Sequence, residues 1–253
     1  MCSSDLMPVT EPLSGRSVVI TRAANQNATL RALLEELGAD VVEVPLISIE
    51  EPEDEGRERD AMLQRIEQFD WVVVTSTNGA ERAAPFLSAA RAAGDTPVLP
   101  RLAAVGQATA RVLGSAADLV AEPARSSVLA AEFPDGNGEV LLVQGDLADD
   151  GLEVSIAAKG WSVTKVVAYR TVTVRPSAEQ RGPALAADVL LLASGSAAGA
   201  WFDAFGPDTP PVVVSIGPST TRAAEQLGIS VTATADEQTL EAMIRTAANS
   251  IEA

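Results

Sequence analysis

Two stretches far apart in the chain pass through the same residues in the same order, and this repetition limits the fold more than any other feature. Ala104-Val105-Gly106-Gln107-Ala108-Thr109-Ala110-Arg111 ends at Gly114, and Ser215-Ile216-Gly217-Pro218-Ser219-Thr220-Thr221-Arg222 ends at Gly228. In each, a β-rich run meets a glycine, small residues suited to capping follow, and a helical pattern stops at the next glycine. A second pair repeats at residues 71–87 and 189–205, where Trp71-Val72-Val73-Val74 and Val189-Leu190-Leu191-Leu192 lead into Ser-rich loops and helices. A chain built this way is duplicated, and its unit is strand, loop, helix.

The remaining segments continue the alternation. Ser17 to Thr21 reads as a buried strand, and Leu30, Leu33, Leu34 and Leu37 fall on one face of a helix that Gly38 ends. Helix, glycine, two residues and valine recur at Gly38-Val41, Gly160-Val163 and Gly228-Val231, the turn that a βαβ unit needs. Pro45 to Ile49 breaks the pattern, and the acidic run Glu50 to Asp60 reads as a solvated loop and helix start. Met62, Leu63, Ile66 and Phe69 predict a short amphipathic helix, Gly94 to Pro100 a loop, Asp118 to Ala121 a weak strand, and Ser126 to Glu132 a helix. Glu139 to Asp146 is a strand running into a Gly-containing turn, Pro176 to Pro183 a loop or short helix, and Thr239 to Ala248 a closing helix. Val163 to Val174 alternates over about twelve residues, twice the usual strand, as if it travelled between two bodies. Alternating strands and helices imply α/β architecture with parallel sheets covered on both faces, in two domains, with ligands at the carboxyl ends of the strands.

Composition removes many chemistries. The sequence has no histidine, which excludes His-based triads and His-ligated zinc, and its lysines are Lys159 and Lys165 alone. Its one cysteine, Cys2, lies in an aperiodic leader spanning residues 1–12. The apolar runs are far too short for a membrane span, and the net charge of −17 argues against nucleic acid. A cytoplasmic protein without metal or cofactor is expected. That charge also opposes an anionic substrate, unless backbone N–H groups and a few local arginines meet it.

Four strand-to-helix loops carry the candidate site: Thr75-Ser76-Thr77-Asn78, Gly106-Gln107-Ala108-Thr109, Ser194-Gly195-Ser196 and Gly217-Pro218-Ser219-Thr220. Each sets amide N–H groups and a positive helix end at one rim, which suits carboxylate or phosphate. The plainer alternative is that Ser, Thr and Asn only cap helices; four loops in matched pairs favour a ligand cleft between domains. Phosphate-loop and dinucleotide glycine motifs are missing, and Gly217-Pro218-Ser219 lacks both the closing glycine and the histidine of a nucleophile elbow. Arg22, Arg82, Arg111 and Arg222 stand at loop–helix junctions, open to substrate carboxylates or to the protein's own acids. Tyr169, the only tyrosine, reads as a half-buried packing residue or as something more.

The segments VVVTSTNGAERA (72–83), AAVGQATARVL (103–113), VLLVQGD with GWSVTKVVAYRTV (140–172), VLLLASGSAAGAW (189–201) and VVSIGPSTTRAAEQLGISVTATA (213–235) together resemble the uroporphyrinogen-III synthase family. That resemblance implies two parallel-sheet domains of Rossmann or flavodoxin type joined by a two-stranded β linker. Domain 1 would comprise 13–42 plus 175–253, the linker 43–49 and 166–174, and domain 2 residues 50–165. It implies cyclisation of hydroxymethylbilane, a linear tetrapyrrole, to uroporphyrinogen III, with loss of water and inversion of ring D through a spiro intermediate, by a monomer needing no cofactor. Tyr169 would assist departure of the hydroxyl, and Thr75, Ser76, Gly106, Gln107, Ser194, Gly195, Gly217, Ser219 and Thr220 would bind carboxylates largely through the backbone. The other readings open at this point are a non-catalytic two-domain sensor and a phosphosugar enzyme using the same helix ends. The loop at Thr77 to Gly79 departs from the family's usual Pro or Ala, and the leader MCSSDLMPVTEP has no counterpart.

Overall fold

A computed structural model describes residues 12–92, 99–114 and 117–251. The leader, apart from Pro12, and most of the loop expected at Gly94 to Pro100 lie outside the described residues. In chain order the elements are β1 (Ser17–Ile20), α1 (Asn27–Glu36), β2 (Asp40–Glu43), β3 (Ile47–Glu50), α2 (Arg57–Leu63), β4 (Trp71–Val74) and α3 (Thr77–Ala92). There follow β5 (Arg101–Ala104), α4 (Gln107–Val112), β6 (Leu119–Val120), α5 (Ser126–Glu132), β7 (Glu139–Gly145), α6 (Gly151–Ala158) and β8 (Ser162–Thr173). The chain then runs through α7 (Ala178–Ala186), β9 (Val189–Leu192), α8 (Gly195–Phe205), β10 (Val212–Ser215), α9 (Pro218–Gln226), β11 (Ala233–Thr234) and α10 (Leu240–Ile251).

These elements form two compact units: unit 1 takes the chain up to Ser48 and again from Thr173, and unit 2 is Ile49–Val172. The boundaries fall inside β3 and at the last residue of β8. Unit 1 has the parallel order β11-β10-β9-β1-β2. Unit 2 has the order β3-β8-β7-β4-β5-β6, parallel from β8 to β6. Consecutive strands turn away from each other between β1 and β9 in unit 1 and between β4 and β7 in unit 2, and doubly wound sheets bind ligands at such switch points.

The strands read as apolar runs because both faces are covered. In unit 1, Val18, Ile20, Leu191 and Val214 pack on Leu30, Leu34 and the α10 residues Met243, Ile244 and Ala247. In unit 2, Val72, Val74, Leu141 and Val143 face Ala80, Ala83 and Leu87, while Trp71, Val73, Val140 and Leu142 face Leu129, Phe133, Leu152 and Ile156. The repeated turn glycines are used as expected: Gly38, Gly160 and Gly228 have φ of 82°, 97° and 83°, a region that disfavours side chains.

Three details settle or correct the sequence reading. Residues 178–186 form a regular helix despite Pro183, because Ser177 and Gln180 close a capping box, with Ser177 N donating to Gln180 Oε1 at 2.9 Å and Gln180 N to Ser177 Oγ at 3.3 Å. Strand pairing beyond Gly228 begins at Ala233 rather than Val231, because Val214 and Ser215 pair with Ala233 and Thr234. The acidic run is only partly solvated. Arg59 inside it is buried and holds Glu51 Oε2 at 2.6 Å and Asp60 Oδ1 at 2.7 Å. Burial alone would pull its guanidinium down, but those carboxylates outweigh it and hold it above its ordinary value.

Candidate functional site

The switch point of unit 2 opens into a cavity of about 350 Å³ lined by Thr75 and Ser76 after β4, Gln144 and Gly145 at the end of β7, Tyr169 on β8, and Ser126, Asp149, Leu152 and Thr171 among others. Tyr169 reaches it by a local irregularity. Gln144 pairs with Val167 and Gly145 with Tyr169, so Ala168 is the extra residue of a bulge in β8. A bulge re-aims the side chain that follows it. The Ala168 carbonyl accepts a hydrogen bond from Arg59 Nη1 at 2.8 Å. Gly145 leaves room for the phenol: a Cβ there would stand 2.6 Å from Tyr169 Cζ and 2.8 Å from its hydroxyl oxygen. The Arg82 guanidinium lies 5.6 Å from the centre of the tyrosine ring, and its Nε donates to Glu51 Oε1 at 2.9 Å. Glu51 therefore joins two arginines, one fixing the backbone before Tyr169 and the other covering its ring.

The predicted loops form as strand, turn and helix. Ser76 Oγ accepts from Gly79 N at 3.1 Å, and Ser194 Oγ accepts from Ala197 N at 3.1 Å, so both serines cap their helices. Gly195 begins α8, where a Cβ would meet Ala223 Cβ at 3.2 Å. Gly106 has φ 86°, and Gln107 opens α4 with its amide donating to Glu122 Oε1 at 2.7 Å. That carboxylate stands beside the loop expected to bind anions. Gly217 precedes α9 in extended backbone, φ 175°, and its carbonyl accepts from Thr220 N at 3.0 Å. Thr220 is buried and Ser219 exposed.

The structure separates the four arginines. Arg82 is committed to Glu51, while the Nε groups of exposed Arg111 and Arg222 lie 3.4 Å from carbonyls of their own helices. Arg22, just past β1 at the unit 1 switch point, has no ion pair or hydrogen bond from its guanidinium among the described residues, and burial pulls it below its ordinary value. Gln144, Gly145, Ser126 and Thr171 were missed as site residues. For Gln144 a signal existed, since a long polar residue closes the apolar run Val140-Leu141-Leu142-Val143.

Fold and cavity define a protein of two doubly wound α/β units with polar loops at the carboxyl ends of parallel strands. A family model described as Uroporphyrinogen-III synthase HemD matches residues 28–245, and the chain belongs to that family. It is 32% identical over 227 residues to the chloroplastic uroporphyrinogen-III synthase of Oryza sativa subsp. japonica, covering 84% of this chain and 73% of the rice protein. It is 30% identical over 168 residues to the uroporphyrinogen-III synthase of Synechococcus elongatus, covering 64% of this chain and 62% of that one. The fold matches a mutant uroporphyrinogen III synthase from Thermus thermophilus with TM-score 0.64 at 21% identity, over 94% of this chain and 99% of the other. Uroporphyrinogen-III synthetase from Helicobacter pylori 26695 matches with TM-score 0.56 at 17% identity, over 92% and 98%. The family makes this chain an enzyme of the cyclising lyase type in porphyrin biosynthesis, and a non-catalytic sensor is not favoured.

Proposed function

We propose that this chain cyclises hydroxymethylbilane to uroporphyrinogen III, losing water and inverting ring D through a spiro intermediate. The observation that carries this reading is the placement of its only tyrosine: Tyr169 lines the unit 2 cavity, re-aimed by a bulge, seated over Gly145 and covered by Arg82. The phenol hands a proton to the departing hydroxyl, which leaves as water while its C–O bond breaks. The substituted carbon of ring D then bonds to the carbon the hydroxyl vacated. Because the substrate loses its hydroxyl readily, holding the chain so that this carbon attacks first is the larger task.

The carboxylates of the substrate are met by the amides of the loops at Thr75-Ser76, Gly106-Gln107, Ser194-Gly195 and Gly217-Ser219-Thr220, and by Arg22, whose guanidinium has no partner among the described residues. Residues 43–49 and 166–174 are proposed as the linker strands, and the working form as a cytoplasmic monomer. No helix among the described residues is long and apolar enough to cross a membrane. Light scattering and cell fractionation check these two points.

The test is to supply freshly made hydroxymethylbilane, oxidise the products and separate the type I and type III isomers. A type III excess that rises with enzyme concentration is expected, and type I alone at the protein-free rate would refute the activity. Tyr169→Phe is expected to lower turnover about tenfold, below the general range for acid catalysis because the leaving group departs unaided. Unchanged turnover would remove Tyr169 from the mechanism.

A further inference from the structure

The acidic run from Glu50 to Asp60 converges on a residue far outside it. Tyr169 follows a bulge, where the regular ladder to β7 is interrupted, and it is only half-buried. Both of its neighbours in sequence are tied to the run. The extra residue of the bulge, Ala168, gives its carbonyl to buried Arg59. Arg170 donates through Nε to the Glu51 carbonyl at 3.1 Å, with Glu50 and Glu53 carboxylates 3.6 Å and 3.7 Å from its other nitrogens.

Within this group Glu51 alone touches both arginines that face the tyrosine. Its Oε2 meets Arg59 Nη1 at 2.6 Å and its Oε1 meets Arg82 Nε at 2.9 Å, and Arg82 lies over the phenol ring. The contacts close a loop from the Ala168 carbonyl through Arg59, Glu51 and Arg82 to the ring, so the side chain of Tyr169 is referred back to its own backbone. Arg59 is the fixed end, since it also has Asp60 Oδ1 at 2.7 Å. Arg82 is the dependent end: besides Glu51, the Asn78 carbonyl of its own helix accepts from its Nη1 at 3.1 Å. A substrate rich in carboxylates would draw an unpaired guanidinium off the ring, and Glu51 already answers that charge.

We propose that Glu51 is a positioning residue for the reaction: anchored on Arg59, it holds Arg82 over the ring and thereby aims the Tyr169 hydroxyl into the unit 2 cavity. This rests on the reading of the activity given above.

The experiment uses Glu51→Gln, which keeps the size but leaves one acceptor oxygen where the two arginines use two. Melting temperature, kcat and KM for type III formation are measured with and without Glu51→Gln, in wild type and in the Tyr169→Phe background. The protein made with 3-fluorotyrosine adds a 19F resonance that reports residue 169 alone, the chain having one tyrosine. The expected result is a kcat about fivefold lower, inside the about tenfold assigned to the phenol, with KM within about twofold and the resonance displaced. In the Tyr169→Phe background the same substitution should change kcat less than about twofold, because residues acting as a unit are not additive. Arg82→Gln, which leaves the pair of Glu51 with Arg59 intact, should give the same pattern and serves where Glu51→Gln folds poorly. An unchanged kcat, a loss of equal size in both backgrounds, a loss carried by KM, or an unmoved resonance would overturn the inference. Equal losses are what a merely structural glutamate gives, and a KM effect is what a substrate-binding arginine gives. A wild type making no type III excess would sink the activity and the inference together; an active wild type with any of the other results would sink the inference alone.

Discussion

Both units order five strands alike in space, β2-β1-β9-β10-β11 in unit 1 and β8-β7-β4-β5-β6 in unit 2, but the chain enters them at different points. The repeated segments match β4 to β9 and β5 to β10, and equivalent bonds agree: Val105 N to Val74 O and Ile216 N to Leu192 O are both 3.0 Å. Carried across the sheet through the registers Val73 with Leu142 and Leu191 with Ile20, the match sets Gln144 against Arg22 and Gly145 against Ala23. The same position therefore holds a long polar side chain that has no hydrogen-bond partner among the described residues in either unit, neutral in one and cationic in the other. Next to it, unit 2 has glycine because a tyrosine ring crosses the strand there; unit 1 keeps an alanine that is 2% exposed. One framework thus carries two different polar groups at its switch points, an amide that lines a cavity in unit 2 and a guanidinium in unit 1.

Gly145→Ala should have the largest effect on this difference. The new Cβ would fall within 2.6 Å of the tyrosine ring and push it aside, so activity should drop about a hundredfold, as misplacement near 1 Å can do. Gly195→Ala in unit 1 meets only Ala223 Cβ at 3.2 Å, and its activity should change less than about threefold, since a neighbour need shift only slightly. Equal losses in steady-state assays of the two variants would dissolve the distinction.

The twin loops give a smaller contrast, in stability. Gly106 has φ 86°, and its Cβ would also meet Ala124 Cβ at 2.6 Å, so Gly106→Val should cost about 1–3 kcal/mol and several degrees in thermal melts. Gly217 is extended at φ 175°, which any residue adopts, and a Cβ there meets the flexible Gln238 side chain at 2.8 Å. Gly217→Val should therefore melt closer to wild type than Gly106→Val; the reverse order would show that the twins are not equivalent.

The smallest effect concerns the opposite ends of the strands. Asp188 accepts from Ser17 N at 2.8 Å and from its hydroxyl at 2.7 Å, and these bonds, with Arg16 nearby, hold its carboxyl below the usual range. At the matching place in unit 2, Asp70 accepts from Glu139 N at 2.9 Å. Stability from Asp188 is present above the ordinary carboxylate value, near about 4, and is lost as pH falls through the depressed folded value. Asp188→Asn should lower the melting temperature by a degree or two at pH 7, with the gap closing in acid below about pH 4. A gap independent of pH would assign the effect to shape rather than charge.

Much of this was legible beforehand because apolar runs and turn glycines act locally. Val72 to Val74 and Leu190 to Leu192 are strands in any context that covers both faces, and Gly38, Gly160 and Gly228 mark the turns where φ is positive. The site was less legible because its parts depend on pairing. No pattern along the chain announces that β8 skips Ala168, that Glu51 reaches both Arg59 and Arg82, or that Arg22, of the four candidate arginines, has no partner among the described residues. Gln144 could have been singled out by aligning VVITRA of β1 with VLLVQG of β7, a match visible only once the duplication is read as beginning at different strands.

The most direct test of the contrast between the units is the shift in melting temperature produced by a bilane ending in methyl instead of hydroxymethyl on wild type, Arg22→Gln and Arg111→Gln, since a ligand that binds the folded state raises it in proportion to affinity. The account predicts that Arg22→Gln loses most of the wild-type shift while Arg111→Gln, whose Nε lies against a carbonyl of its own helix, retains it. A shift that survives loss of Arg22 but not of Arg111 would contradict it.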